Sequence, residues 1–378
     1  MTDNMASIIK FVILGGFLSA GKTTTLLRLA EHYVSAGQTV GIITNDQADG
    51  LVDTERFRAL GFTTGEVAGG CFCCRFDDFI ARADELIAQS QPDIILAEPV
   101  GSCTDLVATV FKPLEKFHAD RFALAPFTVL VDPLQALDLL GGASKARLSE
   151  KIAYIYRLQQ QEAEAIAINK IDLLSGEQLA QVQRLLRERF PTAKVLTFSA
   201  LTGEGFAPLM AWLETPHRED RVLADIDYDA YAEGEAQLGW LNSTLQLQTD
   251  TALDVDAALL ELADAVRQQF QTEAVEIAHG KFLLRGDRQT AVVNVVSNTS
   301  QPLLSQSAAE RATTLDLVIN LRAQAEPDVL QQGLQRCLNA WIERNNLTLL
   351  GRTGQSFKPP RPEPTHRITQ ADEDRRRL

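Results

Sequence analysis

The sequence predicts an α/β fold in which a mostly parallel sheet is covered by helices on both faces, followed by a smaller α+β domain. Three observations lead there. First, Gly16-Phe17-Leu18-Ser19-Ala20-Gly21-Lys22-Thr23 sits between an apolar run at 8–14 and a helical pattern that begins at Thr24. Strand, glycine loop and helix in that order form the phosphate-binding unit of a P-loop NTPase. Second, short apolar strands alternate with amphipathic helices as far as residue 215. Third, the pattern changes across an acidic stretch, after which strands dominate.

Candidate strands of the first domain, residues 1–215, lie at 10–15, 40–45, 94–98, 127–132, 165–169 and 194–199. They are continuous apolar runs, as expected of strands buried on both faces. Helical patterns fall between them, for example at 75–89 and 176–189. Residues 216–240 read as an acidic linker, with Glu219, Asp220, Asp225, Asp227, Asp229, Glu233 and Glu235. The second domain, 241–350, shows a strand at 241–248, a helix at 254–270, strands at 275–284, 290–296 and 314–321, and a helix at 328–345. That order suggests an antiparallel sheet with helices against it. Asp254 and Asp328 suit the N-caps of the two helices. Residues 351–378 carry prolines and charges without apolar periodicity, most clearly from Phe357. They are expected to form a disordered tail.

The formal net charge is −14, with 45% hydrophobic and 23% charged residues. This balance argues against nucleic acid or an anionic membrane as partner. No run approaches the roughly 18 apolar residues of a membrane span. The first residues lack the basic start and apolar stretch of a signal peptide, so a cytoplasmic protein is expected. Five cysteines in such a compartment do not suggest a disulfide framework.

The candidate phosphate contacts are Gly16, Ser19, Ala20, Gly21, Lys22, Thr23 and Thr24. Gly16 and Gly21 let the backbone wrap an anion, and the loop amides and helix N-terminus present positive charge to it. Lys22 would neutralise the β/γ-phosphates and the Thr23 hydroxyl would bind Mg2+. Asn169-Lys170-Ile171-Asp172 follows the strand at 165–168. The Asp172 carboxylate can accept from N1–H and the N2 amine of guanine, which adenine lacks, or could cap the helix that soon follows, and both roles could hold. Asn169 would brace this loop, and the stem of Lys170 could lie on the ring. Ser199 and Ala200 open the next strand-end loop, where a backbone N–H could reach the guanine carbonyl. Glu98 ends a strand expected beside the phosphate loop, so it could orient the attacking water or a metal-bound water. Asp46 could join Thr23 on Mg2+, with 48–54 as a switch, or could form only an Asx-turn. Lys22, Glu98 and Asp46 are therefore the candidate catalytic residues.

Gly69-Gly70-Cys71-Phe72-Cys73-Cys74 places three thiols within four positions. Thiolates bind Zn2+ and other thiophilic metals, and the glycines leave the loop free to fold around an ion. The alternative is a set of buried structural thiols. A tetrahedral site needs a fourth ligand. Cys103, Glu66, a water or a thiol from a second subunit are the options. Cys337, inside the last helix, reads as core, and the five histidines form no metal-spaced pair.

The chain resembles the CobW/HypB/UreG-type GTPases, most closely the CobW-like branch. The likeness rests on residues 16–24, Glu98-Pro99-Val100-Gly101, 169–172 and Cys71-Phe72-Cys73-Cys74, and covers about the first 210 residues. It implies a Mg2+-dependent GTPase that forms GDP and phosphate while carrying a thiophilic metal such as zinc or cobalt to a client metalloprotein or cofactor enzyme. Such proteins often dimerise around nucleotide or metal. By that likeness Cys71, Cys73 and Cys74 are metal ligands, Glu98 serves the Mg2+/water site and Asp172 reads the base. Residues 44–47 and 53–56 look more like the UreG and HypB branches, and no histidine-rich segment is present. Two other readings remain: a GTP-gated chaperone of a cobalamin or other cofactor enzyme that binds no metal itself, and a small-molecule kinase, against which 169–172 argues.

Overall fold

A computed structural model describes residues 8–45, 52–141, 147–217 and 221–372. The first domain is built on β1 (Ile9–Gly16), β2 (Val40–Asn45), β3 (Thr63–Val67), β4 (Ile94–Glu98), β5 (Phe122–Leu124), β6 (Thr128–Val131), β7 (Ala165–Ile168) and β8 (Lys194–Thr197). Their order is β3-β2-β4-β1-β6-β7-β8, with β5 beside β1. Every pairing is parallel. The helices are α1 (Lys22–Ser35), α2 (Val52–Ala59), α3 (Phe76–Ser90), α4 (Lys112–Phe117), α5 (Pro133–Leu140), α6 (Glu150–Gln161), α7 (Gly176–Arg189) and α8 (Phe206–Leu213).

Alternation along β1 divides the core. Phe11 and Ile13 join the cluster that holds Phe79, Val107 and Ile166, while Val12 and Leu14 join that of Leu26, Leu96 and Leu209. Both faces of the sheet are therefore apolar, which accounts for its unbroken hydrophobic runs. The sheet also brings the ends of β1, β2 and β4 side by side. Gly16, Asn45 and Glu98 close those three strands.

The second domain holds β9 (Gly239–Asp254), β10 (Ile277–Arg285), β11 (Thr290–Val295), β12 (Leu303–Gln306), β13 (Arg311–Ala323) and β14 (Thr348–Phe357). They form a six-stranded sheet in the order β12-β11-β10-β13-β9-β14, antiparallel throughout. The chain reaches it through α9 (Tyr228–Glu235), and α10 (Val255–Thr272) and α11 (Pro327–Arg344) follow within the domain. Leu247, Phe282, Leu284 and Ile319 face α10 and α11 in one core. The opposite face turns toward the first domain. There Leu283, Val292 and Val318 enclose Val52 of α2, and the Val52 amide donates to Asn320 Oδ1 at 3.1 Å.

Three expectations change. Residues 351–372 are structured and no disordered tail begins at 351. The first of them complete β14, a mostly exposed edge strand held to β9 by backbone bonds, so it needs no apolar stripe. The others lie against the first domain, with Ile368 buried and its amide bonded to Ala108 O at 2.9 Å. The stretch 216–240 is more than a linker. It contains α9, capped by the Asp227 side chain, with Tyr231 and Glu235 buried. Asp254 does cap α10, accepting from the Ala257 amide at 3.0 Å. Asp328 does not cap α11: Glu326 holds that position and Pro327 starts the helix, which moves Asp328 into the first turn. Among the described residues no helix is long and apolar enough to cross a membrane.

Candidate nucleotide and metal sites

The loop between β1 and α1 leads the chain from strand to helix. Gly21 has φ 92°, and a Cβ there would collide with Nδ2 of Asn169, so glycine is required on both counts. Lys22 is folded back, its Nζ donating to Gly16 O at 2.7 Å and Phe17 O at 3.3 Å. Burial lowers its pKa to about 8, and Lys281 pushes the same way. Ser19, Gly21, Lys22, Thr23 and Thr24 line a cavity of about 380 Å3 between the two domains.

Glu98 ends β4 beside this loop, as expected. The Thr23 hydroxyl donates to its carboxylate at 3.1 and 3.2 Å. Burial, with Asp53 adding to it, raises the Glu98 pKa to about 7. Lys281 of β10 donates from Nζ to Thr23 Oγ1 at 3.1 Å and pairs with Asp53 of α2. Burial works against the charge on Asp53, yet Lys281 holds its pKa below the ordinary value. Asp46 and residues 48–51 of the expected switch lie outside the described residues, while Val52 onward is helical.

Asn169 ties three loops together. Its Oδ1 accepts from the amides of Lys170 and Ala200, each at 2.8 Å, and its Nδ2 donates to Ala20 O at 2.9 Å. Lys170 takes φ 57° and its Nζ bonds Asp132 at 2.7 Å. Asp172 is exposed at the rim of the cavity, and Ser175, not Asp172, caps α7. Ala200 lines the cavity, whereas Ser199 is buried and its hydroxyl accepts from the Thr202 amide at 3.0 Å to close its own turn.

The three clustered cysteines meet. Cys71 Sγ lies 2.7 Å from Cys73 Sγ and 3.2 Å from Cys74 Sγ. The three sulfur atoms fall within 4.8 Å of one another, a grouping able to hold a metal ion. Thiol hydrogen bonds, from Cys103 foremost and then from Cys73 and Cys74, hold the Cys71 pKa well below the usual thiol range. Cys103, expected only as an option, stands near Cys71 on the turn after Glu98, while the close sulfur group is Cys71, Cys73 and Cys74. Cys71, Cys73 and Cys103 are buried, and all five thiols are free. Cys337 packs in the second core. Residues from the chain end cover the cluster. Glu363 N donates to Cys74 Sγ at 3.3 Å, Thr365 N to Cys73 O at 2.9 Å, and Arg367 to Asp105 at 2.7 Å. Glu235 of α9 accepts from Ser102 at 2.5 Å, and burial followed by Cys71 raises its pKa to about 8.

One side chain joins the two places. Asn45, at the end of β2, donates from Nδ2 to Val67 O at 2.9 Å and Gly70 O at 2.7 Å. Its Oδ1 accepts from Phe72 N at 3.0 Å and Val100 N at 3.4 Å. The cysteine loop is thereby clamped to the turn that carries Glu98 and Cys103. Gly101 of that turn packs on Leu18 of the phosphate loop.

Sequence reasoning missed the contribution of the second sheet. Asn294, Lys281, Asn320 and Asn242 stand in one register row across β11, β10, β13 and β9, with His279, Arg322 and Trp240 in the next. The polar alternation of His279 and Lys281 within a buried strand was the available signal.

Residues 10–197 match the family model for the CobW/HypB/UreG nucleotide-binding domain. The zinc chaperone YeiR of Escherichia coli (strain K12) is 27% identical over 179 residues, 46% of this chain and 49% of YeiR. Zinc-regulated GTPase metalloprotein activator 1 of Schizosaccharomyces pombe is 25% identical over 291 residues, 73% of this chain and 63% of that protein. The matches thus span less than two thirds of either relative. The crystal structure of Zn(II)-bound YjiA GTPase from E. coli aligns with 88% of this chain and 99% of its own, at 15% identity and a TM-score of 0.38. Through its nucleotide-binding domain the chain belongs to the CobW/HypB/UreG family of P-loop GTPases.

Proposed function

We propose that this protein is a GTP-hydrolysing metallochaperone. It holds a thiophilic divalent metal such as zinc on Cys71, Cys73 and Cys74, with Cys103 as the fourth ligand, and passes it to a client according to nucleotide state. The observation that carries this reading is the Asn45 clamp between the cysteine loop and the Glu98 turn. A shift of the Glu98 turn on nucleotide binding pulls on Gly70, Phe72 and Cys103 together. The relatives YeiR and metalloprotein activator 1, described as a zinc chaperone and a zinc-regulated GTPase, support zinc as the cargo.

The nucleotide binds with its phosphates on the amides of residues 16–24 and its guanine between Asn169, Lys170, Asp172 and the Ala200 amide. Thr23, Glu98 and Asp53 gather hard oxygen donors around a point where an ammonium already sits. That donor set fits Mg2+. Bound Mg2+ would neutralise charge on the β- and γ-phosphate oxygens. Lys22 unfolds from Gly16 O to reach the same phosphates, and Glu98, whose pKa lies at about 7, positions water beside them.

The test is metal analysis of purified protein together with zinc titration of GTP turnover. The reading predicts about one zinc per chain, lost in a Cys71→Ser/Cys73→Ser variant, and a turnover that changes with zinc. A zinc-free protein whose hydrolysis ignores added zinc would leave only the nucleotidase.

A further inference from the structure

We propose that Lys281, on β10 of the second domain, is a contact for the terminal phosphate of the nucleotide, and that it reports the presence of that phosphate to the C-terminal sheet. The inference rests on the GTPase reading and deepens it. Lys281 lies 258 residues from Thr23 in the chain, yet its Nζ is 3.1 Å from the Thr23 hydroxyl. The loop threonine of this motif would hold Mg2+, which would supply positive charge beside the β- and γ-phosphates. Lys281 is also paired with Asp53 and stands next to Glu98, so an ammonium occupies a pocket built for a cation between acids. A divalent ion arriving at Thr23 would repel it. The nearest new anion is then the terminal phosphate, which the cavity admits beside Lys281, His279 and Asn320. A diphosphate offers no such anion, and the ammonium returns to Asp53.

Anchorage makes the residue informative to its own sheet. Lys281 sits in the middle of the sheet, with Asn294 and Asn320 opposite it on either side. Around it, Ser19 of the phosphate loop donates to Ala278 O at 3.3 Å, and Arg285 pairs with Glu55 of α2 at 2.6 Å. Movement of the ammonium between Asp53 and a phosphate therefore changes how β10 and α2 are held together. A lysine supplied from another domain in this way resembles a cationic finger acting within one chain.

The experiment measures equilibrium binding of GDP and of a non-hydrolysable GTP analogue, both with Mg2+, to the full-length protein and to its Lys281→Met and Lys281→Arg variants. Loss of one charged hydrogen bond predicts that Lys281→Met weakens the triphosphate analogue about tenfold or more. GDP affinity should stay within about threefold, and Lys281→Arg should restore much of the preference. Equal weakening of both nucleotides, or equal tightening of both, would overturn the inference while leaving the GTPase reading intact. A wild-type protein that binds neither nucleotide would overturn both. Unchanged thermal melting of the variant in the absence of nucleotide excludes misfolding as the cause.

Discussion

The crevice beside Thr23 is a cavity of about 380 Å3 lined by both domains, whereas the sulfur atoms of Cys71, Cys73 and Cys103 are packed in the interior under the chain end. The two places share a single turn, since Glu98 and Cys103 stand five positions apart. One is a crevice that gathers charged side chains of both signs, Lys22, Lys281 and Arg322 beside Asp53 and Glu98. The other is closed and made of soft donors in apolar surroundings. The difference teaches where each ligand meets resistance. A nucleotide enters a ready cavity and has only to displace side chains such as Lys22 and Lys281. On the proposed reading, a metal ion would reach the buried thiols past residues 363–367, which bond Cys73, Cys74 and Asp105. Exchange at the cysteines would then be the gated step, driven from the nucleotide site through the Glu98 turn.

Four substitutions or deletions break or sharpen this contrast. Lys22→Ala should act on the open side alone and most severely. Turnover should fall about a hundredfold or more, measured by phosphate release, while zinc affinity of the nucleotide-free protein stays unchanged. Cys71→Ser removes the thiol whose pKa is held lowest and should weaken zinc about a hundredfold, read by chelator competition. GDP affinity should be retained. Ending the chain after Phe357 deletes the segment bonded to Cys73 and Cys74. Zinc release to a chelator should then accelerate about tenfold, with little change in nucleotide affinity, as stopped-flow measurement would reveal.

The fourth effect is on stability and not on exchange or turnover: it concerns Glu162, which lies on the closed side and accepts from the Leu106 amide at 3.2 Å. Burial, followed by Asp105, pushes its pKa well above 4.5. The folded protein therefore keeps a proton that the unfolded chain has lost at pH values above about 4.5. Stability from this group falls as pH rises between that value and the raised folded one, by about 1.4 kcal/mol per pH unit. Glu162→Gln should flatten that fall and leave the variant the more stable at pH 8. Denaturant unfolding at pH 5 and pH 8 distinguishes the two proteins.

What could be read from the sequence follows the same division. The phosphate loop, the 169–172 element and the cysteine cluster are contiguous, and backbone geometry alone brings their residues together. The strands at 40–45 and 94–98 were legible because burial on both faces leaves unbroken apolar runs. Lys281 was legible only as half of a polar alternation with His279 on β10; its role depends on docking of one sheet against another, which that pattern does not encode. β14 and the segment after it were hidden for another reason. They are held by backbone bonds and ion pairs, as between Thr365 and Cys73 or Arg367 and Asp105, which leave no hydrophobic period. Asn45 showed only as a residue at a strand end. Its four bonds, to the end of β3, the cysteine loop and the Glu98 turn, appear only in three dimensions.

Those four bonds carry the central claim, so the most direct measurement is a binding cycle in wild type and Asn45→Ala. Zinc affinity is determined by competition with and without a saturating non-hydrolysable GTP analogue. The account predicts that the analogue shifts wild-type zinc affinity by about 5- to 150-fold, and that most of the shift disappears in Asn45→Ala although each ligand still binds. Identical zinc affinity in both nucleotide states of the wild type would contradict it, and so would a shift that survives the substitution in full.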